Sequence, residues 1–256
     1  MADALIGATG FVGTTLLRQT SFDDVYRSTT IESIRGCSYD VVVCAGAPAE
    51  KWKANKEPER DRENIQRMLA CLGEVEAKHV ILISTVDVYA TPIDVDEDSP
   101  IDPAAATPYG RHRFEIEQFV QDRFASTIIR LPGLFGRGLK KNIIFDFLHA
   151  NAVGAICADS LFQFYHLDRL WQDITIARAH ALPTVNFAVE PVSVRDVAKV
   201  GFGVAFENPA VTNAARYDMH TKYAERFDST GAYLATRAQV LSSIRQFVEE
   251  WRREHP

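Results

Sequence analysis

The chain of 256 residues has few cysteines, no long apolar run and no excess of positive charge. Its four cysteines, Cys37, Cys44, Cys71 and Cys157, form no CxxC pair and show no His/Cys spacing for zinc, so no metal site is expected and a reducing compartment fits. Cys44 sits inside Val41-Val42-Val43-Cys44 and reads as a buried thiol. No run approaches the roughly 20 apolar residues of a membrane span. Asp3 and the glycines behind it interrupt any signal-peptide layout, and the chain reads as cytoplasmic. A net charge of -6 argues against a broad nucleic-acid surface. There is no internal repeat, low-complexity tract or flexible linker. With 46% hydrophobic and 24% charged residues, the remainder suits one large domain with a substantial core.

What is present begins at once. Ala4-Leu5-Ile6 runs into Gly7-Ala8-Thr9-Gly10-Phe11-Val12-Gly13 and then Thr14-Thr15-Leu16-Leu17. This is a short apolar strand, a glycine turn and a helix over about 11–19. Gly7 can take a backbone conformation closed to residues with a Cβ. Gly10 lets the main chain approach a ligand, and Gly13 lets the helix pack on the strand. The N–H groups at the helix start favour an anion such as a dinucleotide pyrophosphate. Thr9, Phe11 and Val12 join the three glycines as candidate cofactor contacts; the bland alternative is a glycine turn without a ligand.

Further along, Val25 and Tyr26 read as the second strand, with Arg27 and Ser28 at its end. In a dinucleotide fold an acid there holds the ribose 2′-OH of NAD, and a base accommodates the 2′-phosphate of NADP. Arg27 and Ser28 lean the reading towards NADP, although Asp23 and Asp24 would reverse it if the strand were displaced by two residues. Val41-Val42-Val43-Cys44 is a buried parallel strand, followed by Ala45-Gly46-Ala47, small enough for a cofactor to pass. Residues 51–62 are highly charged and read as a solvated loop or helix start. A helix follows, with Ile65, Met68, Leu69 and Leu72 on one face. Residues 79–84 form the fourth strand, and Ser84-Thr85 lies at the carboxyl end where open parallel sheets bind ligands. A polar loop over 91–107 leads to an amphipathic helix over 109–124 with Phe114, Ile116, Phe119 and Val120 inward, and then a fifth strand over 126–130. Beyond Leu131 the pattern predicts helices over 142–150, from 168, over 194–206 and over 236–253, with strands over 162–167 and 184–188. Strands alternating with helices give an α/β fold, a doubly wound parallel sheet.

Four stretches resemble the extended short-chain dehydrogenase/reductases, the NAD-dependent epimerase/dehydratase family. They are the glycine turn in its GATGFVG form, Ser84-Thr85-Val86-Asp87-Val88-Tyr89, Tyr109-Gly110-Arg111-His112-Arg113 after Pro100 and Pro103, and Arg130-Leu131-Pro132-Gly133-Leu134-Phe135-Gly136. The resemblance covers about the first 145 residues and thins beyond. It implies a single NAD(P)-binding Rossmann domain over 1–256, with residues from about 131 onward adding a small substrate-binding portion. It also implies NAD(P), with a slight lean to NADP, and a sugar-like or nucleotide-sugar-like substrate. Tyr109 would be the acid/base and Thr85 the hydroxyl on the substrate oxygen. Ser84, Ala45, Gly46, Ala47, Leu131 and Pro132 would line the cofactor, with Tyr109 and Arg113 at its nicotinamide ribose. Asn64 matches an asparagine that holds the active-site helix through the backbone. Asp87 and Asn142 are candidate substrate contacts, the latter near Lys140 and Lys141; His166 and Asp168 are weaker ones. Relatives often dimerise through the two helices around 64–76 and 109–124, which makes a homodimer an expectation involving Phe119, Met68 and Leu72.

The departure is Arg113, where the family has lysine. A phenol ionises near pH 10, and bringing it to neutrality takes roughly 4 kcal/mol, which a lysine one turn on helps to supply. Arginine keeps the charge and the four-residue spacing, but it is bulkier, planar and not a proton relay. Three outcomes stay open: Arg113 substitutes for lysine, the protein binds cofactor without turnover, or another acid such as Asp87 or His112 acts. Thr85-Val86-Asp87 lacks the Thr-Asp-Glu of sugar-nucleotide dehydratases, so the expected activity is epimerisation or ketone reduction by hydride transfer. The alternatives are an NAD(P)-binding sensor or scaffold of the same fold, or a structural protein that binds no cofactor.

Overall fold

The apolar run after Asp3 forms strand β1 (Asp3–Ile6), which lies inside a six-stranded sheet in the computed structural model. The structure describes residues 2–209 and 214–255. These divide into two compact units. The first holds the chain up to Thr91, then Ser99–Leu131 and Leu170–Val185. Its sheet runs β2 (Asp24–Tyr26), β1, β3 (Ser38–Cys44), β4 (Glu76–Thr85), Ser126–Leu131 and Thr184–Asn186. Neighbours from β2 through Ser126–Leu131 pair in parallel. The central strands are apolar on both faces because helices cover both. Helix α1 (Phe11–Gln19) follows the glycine turn at the predicted bounds. Helices α2 (Lys51–Lys56), α3 (Pro58–Leu72) and α4 (Pro108–Arg123) follow β3 and β4.

The charged stretch over 51–62 is helix rather than loop. Pro58 occupies the first turn of α3, where its missing N–H costs nothing, and Glu59 and Asp61 complement the helix dipole. The stretch is not wholly solvated either, since Asp61 is 6% exposed. On α4 the inward face carries His112, Arg113 and Glu117 beside Ile116 and Val120, while Phe114 and Phe119 are only half-buried. Met68 and Leu72 lie in the core with Val42, Val80, Leu82 and Ile116, so they offer nothing to a second copy of the chain. Cys44 is fully buried, and burial pushes its thiol up to about 11.

The second unit comprises Pro92–Asp98, Pro132–Arg169 and the chain from Asn186 on. Here the predicted loop over 91–107 contains a short strand, Ile93–Val95, paired in parallel with Asp218–Met219. The predicted strand over 162–167 is two strands. Leu161–Phe162 pairs with Val192–Ser193, and Phe164–His166 pairs with Gly133–Phe135. Gln163 stands between them, its buried amide satisfied by Val189, Met219 and the Met219 N–H. The predicted helix over 194–206 is a turn of α-helix, Val194–Asp196, followed by a π-helix, Val197–Phe202, that ends at Gly203 with φ 72. The last helix, Arg237–Glu254, starts at a Thr236/Gln239 capping box. No helix among the described residues is long and apolar enough to cross a membrane.

Candidate active site

The sheet reverses its winding between β1 and β3, so the crevice outside their carboxyl ends is the place where such folds take ligands. The glycine turn fills one side of it. Gly7 has φ +92, and the Gly7 and Ala8 N–H groups donate to the Tyr26 carbonyl at 2.9 and 3.1 Å. A Cβ on Gly7 would overlap the Ala45 carbonyl, and one on Gly13 would overlap the Gly7 carbonyl. Both glycines are therefore demanded by the fold. Gly10 is not: its φ -74 and ψ 168 suit any residue, and a Cβ there would meet only the Gly7 oxygen at 3.4 Å. Gly10 is also the N-cap of α1, without a side-chain cap and without an acid in the first turn. Thr9 and Gly10 are exposed, and Phe11 and Val12 half-buried, beside these helix N–H groups. This open cradle fits a pyrophosphate. Gly10→Ala is expected to keep the melting temperature and weaken dinucleotide binding, while Gly13→Ala is expected to cost about 1–3 kcal/mol of stability. Thermal melts with and without NADPH read both; undiminished affinity in Gly10→Ala would remove the turn from the cofactor site.

At the end of β2, Arg27 and Ser28 are exposed. The two acids that compete with them are engaged at the start of the strand. Asp23 accepts the Asp3 N–H at 2.7 Å, and Asp24 accepts the Tyr39 hydroxyl at 2.9 Å. Arg67 from α3 reaches the Ser28 carbonyl at 3.4 Å. Ala45, Gly46 and Ala47 are half-buried beyond β3.

Thr85 ends β4 and turns the chain, its Oγ1 accepting the Asp87 N–H at 3.2 Å. Helix α4 starts just beside it. Thr107 caps the Gly110 N–H, Pro108 opens the first turn, and the Tyr109 N–H donates to Asn55 Oδ1 at 3.0 Å. Gly110 is needed because a Cβ there would overlap the Asp87 carbonyl. The first turn of α4 thus sits directly on the turn after β4, which brings the Thr85 hydroxyl close to the Tyr109 phenol. Burial raises the Tyr109 phenol above its ordinary value; the Arg113 charge opposes this, Asp87 adds to it, and the Thr85 hydroxyl and Lys51 oppose it.

Arg113 is 3% exposed, and its hydrogen-bonding edges are engaged. Both terminal nitrogens reach the Asp61 carboxylate, Nη2 to Oδ1 at 2.9 Å; Nη2 also meets the Pro48 carbonyl, and Nη1 the Tyr109 carbonyl at 3.4 Å. His112 Nδ1 lies 2.8 Å from the same carboxylate. The guanidinium lies over the Tyr109 ring, 4.0 Å from its centroid. Only Nε of this group is buried without a partner.

The remaining candidates divide. Ser84 donates to Glu117, which grips Arg130 through Nε at 3.1 Å and Nη2 at 2.6 Å, and Arg130 donates to the Tyr89 hydroxyl at 2.7 Å. The sequence marks Ser84, Tyr89 and Arg130 only as parts of separate motifs; Glu117, which joins them into a buried network, stands in no motif. Leu131 is buried at the end of its strand. Asn64 is exposed on α3, and the backbone contact expected of it is made by Asn55, which no motif marked. Asp87 lies at the Thr85 turn, 2.6 Å from Lys51 Nζ. Pro132 and Asn142 belong to the second unit. The Asn142 amide caps the helix Ile143–His149, accepting the Ile144 and Phe145 N–H groups and donating to the Leu134 carbonyl at 2.8 Å. Lys140 and Lys141 are exposed, and His166 stacks on Phe135 with Asp168 3.4 Å away.

A family model described as the NAD dependent epimerase/dehydratase family matches residues 23–158, a span that includes Thr85, Tyr109 and Arg113. Comparison with curated protein sequences finds no significant match. Among solved structures, MoeE5 in complex with UDP-glucose and NAD is similar with a TM-score of 0.74 at 15% identity, over 100% of both chains. The UDP-glucose 4-epimerase of Thermotoga maritima, with UDP-glucose, gives 0.72 at 14% identity over 100% of both. The dTDP-glucose 4,6-dehydratase of Streptomyces venezuelae, a double mutant with NAD and DAU bound, gives 0.72 at 15% over 98% of this chain and 97% of its own. At these identities the likeness is one of fold.

Proposed function

Because the chain belongs to the NAD dependent epimerase/dehydratase family, we propose that it is an NAD(P)-dependent epimerase or reductase of a sugar or nucleotide-sugar-like substrate. The observation that carries this is the Thr85–Tyr109 pair, locked together by Gly110 against Asp87 and by Asn55 on the Tyr109 N–H. When bound, the nicotinamide supplies a hydride acceptor or donor. Tyr109 moves the proton at the reacting substrate oxygen, and Thr85 orients that oxygen. The uncapped start of α1, with Thr9 and Gly10 exposed, holds the pyrophosphate. Asp87, at the Thr85 turn, and Asn142 are the substrate contacts of this reading. Arg113 contributes fixed charge over the tyrosine ring.

NADP is the favoured cofactor, since Arg27 and Ser28 stand at the end of β2 while Asp23 and Asp24 are engaged elsewhere. Titration with NADPH and NADH, followed by nicotinamide fluorescence, is expected to favour NADPH, and Arg27→Ala is expected to abolish the preference. Tighter NADH binding would overturn the NADP assignment, and binding of neither would overturn the enzyme reading.

A second reading, a cofactor-binding sensor or scaffold without turnover, is favoured by the engagement of Arg113 with Asp61 and the Pro48 carbonyl. A cofactor whose redox state no sugar substrate changes, with turnover appearing only in Arg113→Lys, supports it. Turnover by the natural chain refutes it.

A further inference from the structure

Arg113 occupies the lysine position without reaching the phenol oxygen. Its plane lies over the ring face, and the edges that carry its donors turn to Asp61, Pro48 and the Tyr109 carbonyl. Asp61 also offsets its charge. A second cation approaches the same tyrosine from a different helix. Lys51 and Asn55 are four residues apart on α2, so they share one face. Asn55 on that face holds the Tyr109 N–H at 3.0 Å. Lys51 on that face places Nζ 2.6 Å from Asp87 Oδ1. The Asp87 N–H is in turn bonded to Thr85 Oγ1 at 3.2 Å, and the Asp87 carbonyl abuts Gly110. Lys51, Asp87, Thr85 and Tyr109 are therefore one contiguous cluster.

We propose that Lys51 is a positioning residue for Tyr109: from α2, with Asp87 as its anchor, it supplies the mobile ammonium beside the acid/base hydroxyl that α4 lacks. The charged groups facing the phenol are Arg113 from its own helix, Asp87 from the turn after β4 and Lys51 from α2. Arg113 is a buried, fixed charge. The Lys51 side chain is 40% exposed on a flexible stem, so its charge can shift from Asp87 towards the phenolate as the phenol gives up its proton. Asp87 then serves two purposes, keeping the ammonium close while the phenol is neutral and raising the phenol when the ammonium is taken away.

The inference rests on the acid/base reading of Tyr109, and its test separates the two. The full chain is labelled with difluorotyrosine, whose more acidic phenol titrates while the protein stays folded, and Tyr109→Phe assigns the resonance in fluorine NMR. Lys51→Met is expected to raise the Tyr109 midpoint by about one pH unit, because Asp87 is left uncompensated, and to lower kcat/KM at least about tenfold. The alkaline limb of the kcat/KM profile is expected to move in the same direction. Lys51→Arg is expected to restore the midpoint. An unchanged midpoint in Lys51→Met, or an equal rise in Lys51→Arg, would overturn the proposal. If instead Tyr109→Phe keeps full turnover, the acid/base reading fails, and the fluorine titration still decides whether Lys51 acts on the phenol.

Discussion

Tyr109→Phe is expected to lower kcat/KM by about 10²–10⁴-fold, the range associated with loss of a positioned general acid or base, and to weaken dinucleotide binding far less, because the glycine turn is untouched. The substitution removes one oxygen and little else. The Tyr109 N–H stays on Asn55, the ring stays beneath Arg113, and Gly110 stays against the Asp87 carbonyl. Any loss is therefore assignable to the phenol hydroxyl. The direction of reaction also matters. Burial keeps the phenol protonated beyond its ordinary value, so the resting site is a proton donor. Ketone reduction is expected to hold its rate through neutral and weakly alkaline pH and to fall only as pH rises past about 10, where the donor is lost. Steady-state rates of Tyr109→Phe beside the natural chain, with NADPH and a panel of keto sugars, check both. Equal rates in the two proteins would remove Tyr109 from the chemistry.

Glu117→Ala is expected to have the largest effect on stability. Glu117 is fully buried, accepts from Ser84, and holds Arg130 through two nitrogens. Removing it leaves the Arg130 guanidinium in the interior without its counter-charge, at a cost of about 3–5 kcal/mol. At about 2–4 °C per kcal/mol for a chain of this size, the melting temperature should fall by roughly 6–20 °C. The double change Glu117→Met with Arg130→Met is expected to recover most of the loss, because the cost lies in the unpaired charge rather than in the missing attraction. Calorimetry of the single and double variants reads this, and a single variant within about 1 kcal/mol of the natural protein would show that water reaches Arg130. The same network ties the end of β4 to α4, so the single variant should also loosen the seat of Thr85.

Much of this arrangement was legible in the sequence, and the boundary is physical. The glycine positions and the apolar strand of residues 41–44 are local signals, and β1, α1 and the carboxyl halves of β3 and β4 fall where local pattern places them. What escaped depends on pairing across distance. Asp61 reads as one more charge in a charged run, and only α4 packing on α3 makes it the counter-ion of Arg113. Asn55 and Asn64 are indistinguishable until α2 is seen to break at Glu57 and α3 to restart at Pro58, which turns one towards Tyr109 and leaves the other exposed. The helix predicted over 194–206 failed for a different reason, because a π-helix over Val197–Phe202 shifts the period of the pattern that identified it.

The order of the sheet also bears on how the chain is made. The strand Ser126–Leu131 pairs with β4 on one side and with Thr184–Asn186 on the other. The second partner leaves the ribosome about fifty residues later, a wait of roughly 3–10 s at ordinary rates of synthesis. During that interval a strand containing Ile128, Ile129 and Leu131 has one unpaired edge, the kind of surface to which other nascent chains add. The residues that close it, Thr184–Asn186, thus act as an endpoint for assembly of the first unit, and a chain released before them would carry the whole glycine turn and tyrosine pair on a sheet that is still open.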